Sequence, residues 1–484
     1  MSSKFLSRRG FLRMAAAGVG GAVLVACGQQ AATPTAAPAA APTAAPAAAP
    51  TVAPAAEAPT VAPAAEAPTT APAAEAPTTA PVQGNTAQTT LDFWFWDGAG
   101  QQWADGYAKV KPNVKINFIN TPFADAHDKL LTSFAAGSGA PDIASLEVGR
   151  VGGFTAKGGL VNLLDAPYDA GKYKKDMVEY KWTQGSTEDG RLVAMPWDIG
   201  PAGFWYRVDL FEAAGLPTEP EKVEELIGNK NGKKWDDFIV LAKQLKEKTS
   251  GKTLIVADAG TDIYGAVLRQ GGEGYFDGNK LLIEEKGTRP LQLAADFRKQ
   301  GLDANIAWWG AEWAAGTKAN AFAGMVIACW MQGGLTRDQP QTVGKWRVVH
   351  APEANYNWGG SFVAIPEQGK NKEQAWEFVQ WATATAEGQN ALFKGSGIFP
   401  AYKPAWQDPI YDAPVDFFGG QRAYRVWTEL TDLVKAFPRT PNDLQAEDIV
   451  GAEVTKVLKE GKDPVQAMKD AEAEALKRID GTTP

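Results

Sequence analysis

The sequence predicts an α/β fold built as two lobes, and three observations carry that reading. Strand-like runs alternate with helix-length segments from Leu91 onward. Roughly 400 residues follow the change of composition near Thr89, more than a single core ordinarily serves. Later segments place their apolar residues on one helical face. In order, Leu91-Asp92-Phe93-Trp94-Phe95-Trp96 reads as a strand ended by the Asp97-Gly98 turn, and Val114–Ile119 as a second strand after the turn at Pro112-Asn113. The gap between them fits a helix. Asp125–Ala136 has a helical apolar pattern, closed by Gly137-Ser138-Gly139-Ala140-Pro141, and Asp142–Leu146 forms the third strand. Such alternation implies a parallel sheet with right-handed crossovers. Trp235–Glu247 puts Phe238, Leu241, Ala242 and Leu245 on one helical face, and Glu373–Ala386 does the same with Ala375, Phe378, Val379 and Ala382. Met325–Cys329 is an apolar strand. Asp463 caps a last helix with Pro464 at its first position, and Ala467, Met468, Ala471, Ala475 and Ile479 form its buried stripe.

The segment before these elements is of another kind. Ser7-Arg8-Arg9-Gly10-Phe11-Leu12-Arg13 is a positive flank, and the apolar run Met14–Ala26 is too short to span a bilayer comfortably, so residues 1–27 read as a secretory signal. Leu24-Val25-Ala26-Cys27 resembles a lipoprotein lipobox, which implies cleavage before Cys27 and a lipid on its sulfur. The paired arginines resemble a twin-arginine (Tat) signal. The mature chain is therefore expected outside the cytoplasm and tied to the membrane by lipid. Residues 28–87 are rich in Ala, Pro and Thr, with three near-copies of Ala-Ala-Glu-Ala-Pro-Thr-(Val/Thr)-Ala-Pro over 55–81. Frequent proline forbids helix, so a polyproline-like tether of up to ~190 Å is expected at ~3.1 Å per residue.

Composition excludes several function classes. The chain has two cysteines; with Cys27 lipidated, Cys329 is alone and no intramolecular disulfide forms. Cys329 lies in the apolar run Gly324–Trp330 and reads as a buried small hydrophobe. The only histidines are His127 and His350, which leaves no plausible zinc or Cys/His catalytic set. A net charge of −8 argues against nucleic acid and anionic membrane surfaces. No cofactor and no metal is expected, and the chain reads as a monomer.

Four stretches carry a resemblance to a known family: Leu91–Gly98; Phe134–Ile143; Gly190–Asp198 running on to Trp205–Leu216; and Gly359–Pro366 with the helix after it. Their order and spacing resemble the extracellular solute-binding proteins of bacterial ABC transporters (family 1), in the carbohydrate-binding, maltose-binding-protein-like group. The resemblance implies a periplasmic-binding-protein type II fold, each lobe a sheet flanked by helices, with a hinge between lobes and the ligand between them. By that analogy the N-terminal lobe is 88–198 plus 361–405, and the C-terminal lobe 199–360 plus 406–484. Hinge crossings fall near Asp198-Ile199-Gly200-Pro201 and Trp358-Gly359-Gly360. A membrane-spanning ABC permease is the implied partner.

Ligands of open α/β sheets bind beyond the carboxyl ends of strands, which selects Trp96, Asp97, Glu147, Trp197, Asp198, Trp330 and Trp358, with Phe399 from a late loop beside the cleft. Aromatic faces cover the C–H faces of sugars, and carboxylates accept hydrogen bonds from sugar hydroxyls. A phosphate ligand would instead want arginine, lysine or a glycine-rich nest. Each candidate also has a structural reading: Trp94, Trp235 and Trp376 are assigned to the core, Glu147 is a potential partner of Arg150, and Asp97 and Asp198 are potential strand terminators. Trp308, Trp309 and Trp313 are placed at the cleft mouth. The function expected is capture of a sugar or oligosaccharide, without chemistry, for delivery to the permease. The alternatives are a peptide, polyamine or organophosphate on the same fold, and a secreted glycoside hydrolase, which needs two carboxylates ~5–9.5 Å apart.

Overall fold

The computed structural model describes residues 88–479 and 481, apart from 273, 432, 433 and 436. The signal segment, Cys27 and the tether lie outside the described residues. The chain begins with β1 (Thr89–Phe95), α1 (Gly100–Val110), β2 (Val114–Asn120), α2 (Phe123–Ala136), β3 (Ile143–Glu147) and α3 (Val148–Lys157). Next come β4 (Met195–Pro196), β5 (Asp198–Ile199), β6 (Pro201–Arg207), α4 (Trp235–Lys248), a π-helical turn at Ala259–Tyr264 and α5 (Ile283–Lys299). β7 (Gly324–Ala328), α6 (Met331–Asp338), β8 (Trp346–Val349), β9 (Tyr356–Asn357) and β10 (Ser361–Ala364) follow. The chain ends with α7 (Lys372–Ala384), α8 (Ala386–Ser396), β11 (Phe399–Pro400), α9 (Asp443–Glu460) and α10 (Pro464–Arg478).

Two sheets organise the molecule. The first runs β2-β1-β3-β10-β4. Its β1, β2 and β3 are parallel, as strand–helix alternation predicts, but β10 joins antiparallel to both β3 and β4. The second sheet is wholly antiparallel, with β6 paired to β7, β8 and β9. The parallel expectation thus holds for the opening strands and fails for the rest. The reason is that later strands return from the opposite sheet rather than through a crossover helix.

Period-two alternation sets which core each strand face joins. In β1, Leu91, Phe93 and Phe95 enter one cluster with Trp103 and Phe378, while Trp94 turns to the cluster of Leu130, Leu146 and Phe154 on the other face. In β6, Ala202, Phe204 and Tyr206 face the helices of the second lobe, and Trp205 faces Trp346, Phe418 and Trp427. Both faces of each sheet are therefore covered. Capping fixes the helix ends: Asp463 accepts from the Gln466 N–H at 2.9 Å to start α10, and α2 stops at Gly137 in the left-handed region.

The sheets are joined by chain passes that lie side by side. Trp358 donates its N–H to the Gly200 carbonyl at 2.7 Å, and the Ala401 N–H donates to Trp197 at 3.1 Å. β11 pairs with β5 between them. Gly359 and Gly360 have φ of 88° and 91°, a backbone that only glycine adopts readily, so the turn from the second sheet back to the first depends on that pair.

Candidate functional site

A cavity of about 360 Å³ opens between the two sheets, within the size range of small-ligand sites. Glu147, Val148 and Gly149, from the β3–α3 junction, line one side. The π-helical turn (Gly260, Thr261, Tyr264), Arg269, Tyr275, Trp358 and Glu447 line the other. Such π-helical turns recur at functional sites. This one is held by Asp262, a fully buried carboxylate that accepts from the Val326 N–H (2.9 Å), the Asp258 N–H (3.1 Å) and Trp308 Nε1 (3.0 Å). Burial pushes the Asp262 carboxyl up to about 8 against those hydrogen bonds. Tyr264 and Tyr275 share a short hydroxyl–hydroxyl bond, and burial raises both above the usual phenol range.

Beside the cavity is an aromatic wall. The Arg269 guanidinium lies 4.4 Å from the centre of the Trp358 ring. Trp330 donates Nε1 to the Trp358 carbonyl at 2.8 Å and sets its ring edge-on to Trp358, with centroids 6.0 Å apart. Trp309 stacks on Trp330 at 5.8 Å and 23°, and Trp308 touches both Trp309 and Trp358. Trp309 is 60 % exposed and has φ of 70°. A large side chain left mostly in water on a left-handed backbone is uncommon, and the covered part of Trp309 rests on Trp308, Trp313 and Trp330.

The residues selected from sequence divide into groups. Trp358 and Glu147 line the cavity, and Trp330 belongs to the wall. Glu147 caps α3 by accepting from the Gly149 N–H at 2.7 Å, and its own N–H donates to His127 Nε2 at 3.0 Å. Burial lowers His127 to about 4, so this ring stays neutral and able to accept. Arg150 lies near Asp128, at 4.0 Å. Trp96, half-buried, packs its ring on Phe123 and His127. Asp97 accepts from the Ala99 N–H at 2.8 Å, opening the turn into α1. After Asp338, its charge adds to the field that raises the Arg337 guanidinium of α6, so Asp97 lies close to the second lobe.

Three selected residues stand elsewhere than a ligand surface. Trp197 is 2 % exposed, wedged edge-on against Trp103 and Phe95 in the core of the first lobe. Phe399 is fully buried against Phe393, Trp406 and Tyr411. Asp198 is buried in the hinge, where its carboxylate accepts from the Ser361 N–H. Burial pushes Asp198 up to about 7, opposed by the nearby Lys181 ammonium and the Ser361 bonds. Trp197 and Phe399 thus pack in the interior, and Asp198 joins two neighbouring chain passes. Tyr264, Arg269, Tyr275 and Glu447 were not selected from sequence. Tyr264, Arg269 and Tyr275 lie close together in the chain, whereas Glu447 comes from α9, and tertiary packing brings the four to one cavity.

Comparison with known proteins agrees with this architecture. Residues 102–419 match the family model described as bacterial extracellular solute-binding protein. An arabinooligosaccharide-binding protein of Bacillus subtilis (strain 168) is 25 % identical over 419 residues, spanning 81 % of this chain and 93 % of that protein. A lactose-binding protein of Rhizobium radiobacter is 26 % identical over 375 residues, spanning 72 % and 82 %. A crystal structure of an extracellular solute-binding protein of family 1 aligns with a TM-score of 0.72 at 26 % identity, covering 80 % of this chain and 99 % of that one.

Proposed function

Because the chain belongs to the bacterial extracellular solute-binding proteins, we propose that it captures a sugar or oligosaccharide between its lobes and delivers it to an ABC permease. One observation carries the proposal: an exposed indole, Trp309, continued by Trp330 and Trp358, borders a cavity lined by hydroxyl and carboxylate groups. Indole faces suit the C–H faces of pyranose and furanose rings, and Tyr264, Thr261, Glu147 and Glu447 suit their hydroxyls. Relatives that bind arabino-oligosaccharides and lactose support the same ligand class. The lobes are proposed as 88–198 plus 361–405 and 199–360 plus 406–484, with the ligand held between them.

The protein acts by binding alone in this proposal. Glu147 is engaged as a helix cap and Asp198 as a hinge strut, which leaves neither placed as an acid or base. The working location is outside the cytoplasm. Cys27 is proposed to carry the lipid, the paired arginines to direct export, and residues 28–87 to hold a monomeric binding domain off the membrane. Titration calorimetry against arabino-oligosaccharides, lactose and a control set of peptides and polyamines tests the proposal. Micromolar or tighter binding of a saccharide, without turnover, is expected. Binding only to a control solute would refute it.

A further inference from the structure

The two lobes touch where α3 meets the segment that leads into α9, and at Gly152 the contact leaves no room for a side chain. A Cβ on Gly152 would stand 2.3 Å from the Thr440 carbonyl oxygen and 3.1 Å from the Arg439 carbonyl carbon. Both are backbone atoms, so no side chain there gives way. The opposing surface is itself fixed: the Arg439 side chain is 4 % exposed, bonded to Glu447 at 2.7 Å and 3.5 Å from Asp443. Next along the chain, a Cβ on Gly153 would meet nothing within 4 Å. A helix interior disfavours glycine relative to alanine, so α3 has no need of its own for glycine at 152. The need comes from the opposite lobe.

The contact also adjoins the cavity. Glu147 Oε2 and Arg439 Nη2 stand 2.9 Å and 4.0 Å from the point a Cβ on Gly149 would occupy, and all three residues line the cavity. Any stand-off at Gly152 therefore widens the cavity between Glu147 and Arg439. We propose that Gly152 is the stop against which the lobes close: its bare backbone rests on Thr440, sets the width of the closed cleft, and so governs ligand affinity without touching ligand. A ligand draws the lobes together only by binding the closed arrangement better than the open one. Whatever blocks that arrangement subtracts from affinity. The inference uses the proposed function only for the affinity readout; the contact itself is tested by distance.

The experiment uses the full chain with Cys27→Ser and nitroxides on cysteines placed at exposed Ala156 and Thr455, on the two helices concerned; Cys329 is buried. Electron–electron double resonance is recorded with and without lactose or arabino-oligosaccharides, for the parent, Gly152→Leu and Gly153→Leu. The parent is expected to populate a short distance. Gly152→Leu should lose it, shift several ångströms longer and bind the probe saccharide at least tenfold more weakly. Gly153→Leu adds the same side chain one position along and should match the parent in both readouts. Should Gly152→Leu fail to fold, Gly152→Ala adds a single carbon and should still lose part of the short-distance population. A short distance retained in the Gly152 variants, or absent from the parent in every condition, would overturn the proposal. A parent that shows the short distance yet binds no saccharide would defeat the sugar reading alone.

Discussion

Replacing Trp309 separates its role in binding from its cost to the fold. About two-fifths of this residue is covered, roughly 100 Å² of a side chain that buries up to ~250 Å². At ~25 cal/mol/Å² its removal forfeits about 2.5 kcal/mol, an upper estimate. Its φ of 70° adds a term of opposite sign, because a left-handed backbone costs a side-chain-bearing residue about 1–2 kcal/mol. Trp309→Ala keeps that strain and should lose close to the full 2.5 kcal/mol. Trp309→Gly releases it and should lose only ~0.5–1.5 kcal/mol. Glycine is thus expected to be the more stable variant, the reverse of its usual rank below alanine. Both variants remove the same stacking face, so each should weaken saccharide binding by about 1–3 kcal/mol, roughly 5- to 150-fold. Urea unfolding gives the first comparison and titration calorimetry the second. Equal affinity in parent and both variants would remove Trp309 from the ligand platform. Glycine less stable than alanine would refute the strained backbone.

Three further outcomes follow from the same geometry. Trp197→Ala truncates a core indole and should lose about 3–5 kcal/mol of stability by urea unfolding; a loss below 1 kcal/mol would return Trp197 to the surface. Asp262→Asn turns an amide N–H₂ toward an N–H donor of Trp308, Asp258 or Val326, and should cost about 1–3 kcal/mol, where an unchanged midpoint would mean these bonds are not made. The third concerns pH. Asp198 and Asp262 rise from 3.8 to about 7 and about 8 on folding, so between those values the folded chain binds more protons than the unfolded one. Their contribution is therefore fully present below pH ~4 and is lost as pH climbs toward 8. Asp198→Asn keeps an oxygen for the Ser361 N–H and should flatten the part of this slope below pH 7 with little change in affinity; a slope as steep as the parent's would show that Asp198 does not titrate there.

How far the molecule is legible in its sequence depends on the range of the interactions involved. The opening β1-α1-β2-α2-β3 order was readable because each element carries its own period and its own stop signal. The helix stripes of α4, α7 and α10 were readable for the same reason, and Trp94, Trp235 and Trp376 are indeed buried. The direction of β10 was not readable, since pairing with β3 joins residues over 200 positions apart. Trp197 illustrates a signal that was present but outweighed. It shares a strand phase with Met195, and both belong to the same core cluster. Proximity to a strand end points the other way, toward a ligand surface. Phe399 offered no such clue, because its cover comes from Tyr411 and Phe393 across separate turns.

The tryptophans show why residue type selects a site only in combination with position on the backbone. Trp197, Trp330 and Trp358 all lie at or near strand ends, and sequence treats them alike. In the structure the difference lies in what surrounds their backbone. Trp197 leads into β5, which pairs at once with β11 and turns its indole onto Trp103. Trp358 sits before two glycines with positive φ, so the chain bends away and leaves one ring face for Arg269. Trp330 starts a helix that carries its ring outward, where Trp309 meets it. The hinge passes therefore do two things at once. They bend the chain at Gly359-Gly360, and they set the aromatic wall beside the cavity that Glu147 lines from the opposite sheet.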